Sequence, residues 1–128
     1  MKERIEKAVE VLLQNAGDDW FMIIEEPAQE KFVQFAYDEE SGLFFDLPFQ
    51  ALTQEELARA RKVMAELSIA AAANATFDEP GGREIGVQES FNHHVDRDVK
   101  LAVDIVYRVF REVYGYGDST RLDITIMR

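Results

Sequence analysis

The only two histidines stand side by side in SFNHHVDRD, residues 90–98, with Asp96 and Asp98 close behind. Imidazole next to carboxylate is the raw material of a metal site or of general acid–base catalysis. The spacing argues against both. A helix presents paired metal ligands at i, i+4, as in HExxH, whereas His93 and His94 are immediate neighbours. On a strand, successive side chains point to opposite faces. In REIGVQESFNHHV the apolar Ile85, Val87, Phe91 and Val95 take odd positions, while Glu84, Gln88, Ser90 and Asn92 take even ones. His93 is thereby assigned to the apolar face and His94 to the polar one, and two rings on opposite sides of a sheet cannot close on one ion. Asp96 is expected to be the N-cap of a following helix, with Asp98 in its first turn complementing the helix dipole.

Other reactive groups fare no better. The paired acids Asp18–Asp19, Glu25–Glu26, Glu39–Glu40 and Glu55–Glu56 fall at expected element ends or turns, where capping and solvation account for them. Ser41, Ser68, Ser90 and Ser119 lack the strand–turn–helix setting of an activated nucleophile. GYG at 115–117 follows a helix instead of a strand and marks a helix stop, not a phosphate loop. With no cysteine, disulfides, thiol nucleophiles and thiolate metal sites are ruled out. No catalytic, metal or cofactor site is therefore expected.

Composition narrows the class further. A chain of 128 residues with 47% hydrophobic content suits one globular domain over residues 1–128. No apolar run approaches the roughly 20 residues needed to cross a bilayer. The opening stretch MKERIEKAVEVLLQN mixes charge with apolar residues, unlike a signal peptide, so a cytoplasmic protein is expected. A net charge of −11 repels phosphate backbones and anionic lipids and attracts basic partners, so neither nucleic acid nor membrane is expected as a partner. The same acidity also simply keeps a surface soluble.

The elements that must position these residues follow from periodicity. Ile5, Ala8, Val9, Leu12, Leu13 and Ala16 form one helical stripe, with Gly17 as its expected stop. WFMIIE (20–25), KFVQFAY (31–37) and GLFFDLPF (42–49) read as strands, with Gly42 in a hairpin loop and Pro48 closing the third or confining it to an edge. LTQEEL predicts a helix start in which Thr53 and Glu56 form a capping box and Leu52 and Leu57 a hydrophobic staple. That helix has no clear end, because AAAA (70–73) favours helix while Asn74 and Thr76 do not. NATFD, a type II turn at EPGG and REIGVQESFNHHV make a second hairpin. A helix over about 98–114, stopped by Gly115 and Gly117, precedes a final strand RLDITIM with Leu122, Ile124 and Ile126 on its buried face. The order α-β-β-β-α-β-β-α with a C-terminal strand defines an α+β domain, helices packed on a mostly antiparallel sheet.

Surface, not chemistry, is what remains. Phe32, Phe35, Tyr37, Phe44, Phe45 and Phe49 fall within 18 positions of the first hairpin. Phe32 shares a face with Gln34 and Ala36, Val33, Phe35 and Tyr37 share the other, and Phe44 and Phe45 must diverge. Such a hairpin either is covered on both sides within the chain or offers an apolar patch to a partner or a second copy. These six aromatics are the candidate partner-binding residues.

The pattern resembles the type III secretion chaperone-like fold, including the Tir-chaperone-like and YbjN-like bacterial families. The likeness lies in FVQFAYDEESGLFFDLP as paired central strands, LTQEELARARKVMAELS as the middle helix, ATFDEPGGREIGVQESF as the second hairpin and VDRDVKLAVDIVYRVFREVYG as the closing helix. It implies a small, acidic, dimeric, non-catalytic protein that holds an extended client segment on apolar helix–sheet surface. RLDITIM departs from the pattern, since such chaperones generally end with their last helix. The expected function is accordingly protein binding, as a homodimer, toward a protein or peptide segment of basic character. The alternatives are an acidic immunity or antagonist-type protein that blocks a basic partner, and a small-molecule binder or enzyme using His93 or His94.

Overall fold

A computed structural model describes residues 1–15, 17–78 and 83–127, with the backbone alone described for residues 74–78 and 83–85. The chain runs α1 (Lys2–Asn15), β1 (Trp20–Glu26), β2 (Lys31–Asp38), β3 (Gly42–Pro48), a short 3-10 turn, α2 (Gln54–Glu66), β4 (Ala70–Asp78), β5 (Arg83–Asp96), α3 (Val99–Arg108) and β6 (Asp123–Met127). The expected α+β architecture and element order are found. The strands form one sheet in the order β4-β5-β3-β2-β1-β6, and every pairing is antiparallel. The C-terminal strand pairs with β1 of its own chain. Among the described residues no helix is long and apolar enough to cross a membrane.

All three helices cover one face of the sheet. Strand alternation directs Met22, Ile24, Val33, Phe35, Phe45, Leu47 and Phe91 to that side, where they meet Ile5, Val9 and Leu12 of α1 and Met64 of α2. Ala102, Ile105 and Val106 of α3 and Phe110 complete the layer. The rings of Phe35 and Phe45 lie 5.8 Å apart in a tilted pair, a favourable arrangement for aromatic quadrupoles. The predicted capping box is present: Glu56 N–H donates to Thr53 Oγ1 (3.1 Å), and Thr53 N–H donates to Glu56 Oε1 (2.9 Å).

Several local expectations are corrected. The helix N-cap is Asp98, whose Oδ1 accepts from Leu101 N–H at 3.0 Å. Asp96 ends β5 with φ +59°, turning the chain two residues too early for its carboxylate to reach the first helical amides. Gly17 does not take the left-handed conformation, and Asn15 Nδ2 instead donates to the Val11 carbonyl at 2.8 Å. Gly115 (φ +79°) alone makes the left-handed stop after α3, which first continues as a π-helical turn over Val109–Val113. Of the two expectations for Pro48, the first is found: it closes β3, which lies in the interior of the sheet and not at an edge. Val87 is 59% exposed despite its odd parity, because the start of β5 pairs with β4 only, beyond the reach of the helices. The alanine tract belongs to β4, opposite residues 89–92 of β5. The turn at EPGG and the stripe position of Ala16 lie outside the described residues, as does the side chain of Ile85.

Candidate functional site

Strand register answers the histidine question first. His93 is paired with Phe45, on the helix-covered side, and His94 with Phe44, on the other. His94 is exposed, and its imidazole packs against Phe44 in a tilted pair, 4.8 Å between ring centroids. The two rings point to opposite faces, as parity requires, and among the described residues no group of three His, Asp or Glu converges as a metal site would need.

A second cluster of ionisable groups was not legible in the sequence. At the end of the sheet near α2, Lys31 Nζ meets Glu56 Oε1 at 2.8 Å and lies 5.8 Å from the ring of Tyr114. Tyr114 Oη donates to the Phe32 carbonyl at 2.7 Å, and Tyr116 Oη donates to Glu26 Oε2 at 3.0 Å. Glu26 also accepts from the backbone N–H groups of Ala28 and Gln29 in the β1–β2 turn. The Gln29 amide, with Tyr116 and Ala28, holds the Glu26 carboxyl below the ordinary glutamate range against the opposing effect of burial. For Glu56, by contrast, burial is the largest single influence, yet Lys31 and Thr53 together keep its pKa low. Burial, then Glu26, pushes the Tyr116 hydroxyl up to about 12. Both carboxylates are thus ionised and tied to fixed partners, which fits a staple between helices and sheet.

The remaining site is the sheet face that carries no helix. Its residues fall into cross-strand rows set by register. One row runs Met127, Phe21, Ala36, Phe44, His94 across β6, β1, β2, β3 and β5. The next runs Thr125, Ile23, Gln34, Asp46, Asn92, Ala70, and a third brings Asp123, Glu25 and Phe32 together. The middle row is satisfied internally: Gln34 Nε2 donates to Asp46 Oδ2 at 2.7 Å, and the Asn92 amide, oriented by its neighbours, donates to Asp46 Oδ1 at 2.7 Å. The first row is not. Phe21 and Met127 remain 45% and 42% exposed, and Phe44 is half-buried.

Beside that row is a cavity of about 190 Å³, lined by Phe21, Ala36 and Phe44 together with Asp19, Trp20, Tyr37, Asp38, Ser41 and Gly42. Asp19 holds φ +62°, and Asp38 Oδ1 accepts from the N–H groups of Glu40 and Ser41 in the β2–β3 turn. Neither carboxylate belongs to an ion pair among the described residues.

The six aromatics expected to bind a partner are divided by the structure. Phe32 and Phe44 reach the open face. Phe35 and Phe45 are fully buried and Tyr37 is 3% exposed, so the fold uses these three as core and they offer no accessible surface. Phe49 lies on the helix side, stacked on Phe91 at 4.8 Å with the Arg61 guanidinium 5.1 Å from its ring. Phe21, Ile23 and Met127 join the open face without having been singled out; only the pairing of β1 with both β2 and β6 brings them beside Phe44. Comparison of the chain with protein-family models, curated proteins and solved structures finds no match.

Proposed function

We propose that this chain is a non-catalytic, chaperone-like protein that holds a polypeptide segment of a partner against the open face of its sheet, in the cytoplasm. The observation that carries the reading is the apolar row Met127–Phe21–Ala36–Phe44, left partly exposed while the neighbouring polar row satisfies itself. Exposed apolar rows bordered by polar groups are the usual anatomy of a protein-binding surface. The resemblance to type III secretion chaperone-like proteins points the same way, and its one departure does not obstruct the face, since β6 extends the same sheet and adds Met127 to the row.

A second reading draws on charge. The open face carries Glu25, Asp46 and Asp123, of which Asp123 is paired with Arg121 at 3.2 Å, within a chain of net charge −11. An acidic antagonist of one folded basic protein would use the same groups, and its affinity would fall steeply with salt. The test is affinity capture followed by mapping of protected amides. The chaperone-like reading expects protection across β1, β3 and β6 by an unfolded client, with moderate salt dependence. Protection confined to the helices, with Phe21→Ser and Phe44→Ser binding as well as the parent, would refute it.

A further inference from the structure

We infer that the cavity between Phe21 and Phe44 receives an arginine side chain from an extended segment of the partner. The inference rests on the reading of the open face as a polypeptide-binding surface and names the group that face selects.

The lining is part aromatic and part acidic. Phe21 and Phe44 stand two strands apart in one row, with the small Ala36 between them, so the space over Ala36 is bounded by two aromatic side chains. An aromatic face attracts a cation through its quadrupole, and a planar guanidinium stacks on it while its aliphatic stem covers apolar surface. This chain already uses that contact internally: Lys2, Lys31, Arg61 and Arg97 each lie over a ring, and those rings are Tyr107, Tyr114, Phe49 and Tyr37. Phe21 and Phe44 have no such cation among the described residues. Asp19 and Asp38 line the same cavity and supply two carboxylates outside any described ion pair, with Asp38 Oδ2 left to accept from a guanidinium while Oδ1 serves the turn. Arg97 forms no described ion pair with either; its guanidinium donates to the Tyr37 hydroxyl at 2.9 Å and the Glu39 carbonyl at 2.7 Å.

Charge also decides between the possible occupants. A second copy meeting this face would set one chain of net charge −11 against another, with Glu25 and Asp46 on both sides and only Asp123 offset, by Arg121 at 3.2 Å. Like charges brought together across an interface are strongly disfavoured. A basic segment meets no such opposition.

Trp20, the only tryptophan, borders the cavity and reports on its occupation by fluorescence. The probes are blocked nine-residue peptides of alternating serine and valine with a central arginine, citrulline or norleucine, titrated into the full chain. The arginine peptide is expected to bind about tenfold more tightly than the neutral, near-isosteric citrulline peptide. The double variant Asp19→Asn, Asp38→Asn should erase that preference while leaving citrulline binding unchanged. Asparagine tolerates the left-handed backbone of residue 19 and keeps the turn acceptor of residue 38, so the variant should fold, which circular dichroism and a melting curve check. Equal binding of the arginine and citrulline peptides overturns the assignment of this cavity and leaves the face reading standing. No binding of any peptide, or a concentration-dependent dimer abolished by Phe21→Ser, overturns both.

Discussion

Gly42 offers a sharp test of the geometry on which the cavity wall depends. It opens β3 with φ +74°, and an added Cβ would lie 2.6 Å from both the carbonyl carbon and the oxygen of Asp96. Those are backbone atoms at the end of β5, where the β3–β5 register slips by one residue between Leu43 and Phe44. Alanine at this site therefore meets two costs. The left-handed backbone costs roughly 1–2 kcal/mol for a residue with a Cβ. Relief of the overlap requires moving one strand away from another, for which roughly 1–3 kcal/mol is typical of a filled site. Gly42→Ala should thus lose about 2–5 kcal/mol, a large share of the roughly 5–15 kcal/mol that holds a domain together. Gly115 is the control, with φ +79° but nothing within 4 Å of an added Cβ, so Gly115→Ala should lose only the roughly 1–2 kcal/mol of backbone strain. Gly42→Asn separates the costs, since asparagine tolerates the conformation but retains the Cβ. Urea denaturation followed by Trp20 fluorescence, with unchanged m-values, measures all three. If Gly42→Ala and Gly115→Ala agree within about 0.5 kcal/mol, the close approach of the β3 start to Asp96 is wrong.

Three further outcomes follow from the same structure. Thr53→Ala removes the acceptor of the Glu56 amide and should cost about 1 kcal/mol in a denaturation series, with Thr53→Ser restoring most of it. Because Glu26 and Glu56 are held below the ordinary glutamate value of 4.5, the unfolded chain takes up protons before the folded one as pH falls through and below that value. Their contribution is therefore present above about pH 4.5 and lost in acid, so melting curves of the Glu26→Gln, Glu56→Gln variant should show a shallower acid decline than the parent. Phe35→Ala, in the core, should cost roughly 3–5 kcal/mol, whereas Phe21→Ala, at 45% exposure, should cost well under half as much; equal losses would contradict the division of the aromatics between faces.

Much of the fold was legible because its strongest cues are local. Thr53 and Glu56 announce their helix, and parity separated Phe44 from Phe45 and His93 from His94. The end of that helix was illegible for an equally local reason. Its stop is a Schellman motif with Ser68 in the left-handed position (φ +61°), where glycine is the usual marker, closed by Ser68 N–H to Ala65 O and Ile69 N–H to Met64 O. Without a glycine, the alanines that follow read as more helix, although pairing with β5 makes them strand. The candidate site failed to show for a different reason. Phe21, Ala36, Phe44 and Met127 come from four strands, and their adjacency depends on registers that no single segment encodes.

That adjacency bears on how a sheet can carry a face that no helix of its own chain covers. An antiparallel sheet tolerates one wet face when the polar groups on it are paired, and Gln34, Asp46 and Asn92 pair among themselves across three strands. The apolar row beside them has no such internal solution. On the proposed reading, the carboxylates around the row would oppose its burial against a second acidic copy while remaining solvated in the single chain. Such a device is selective in one direction only. The charges that would repel a second acidic copy would also lower the free energy of a cation arriving over the aromatic rings, so on this proposal both effects come from the same carboxylates.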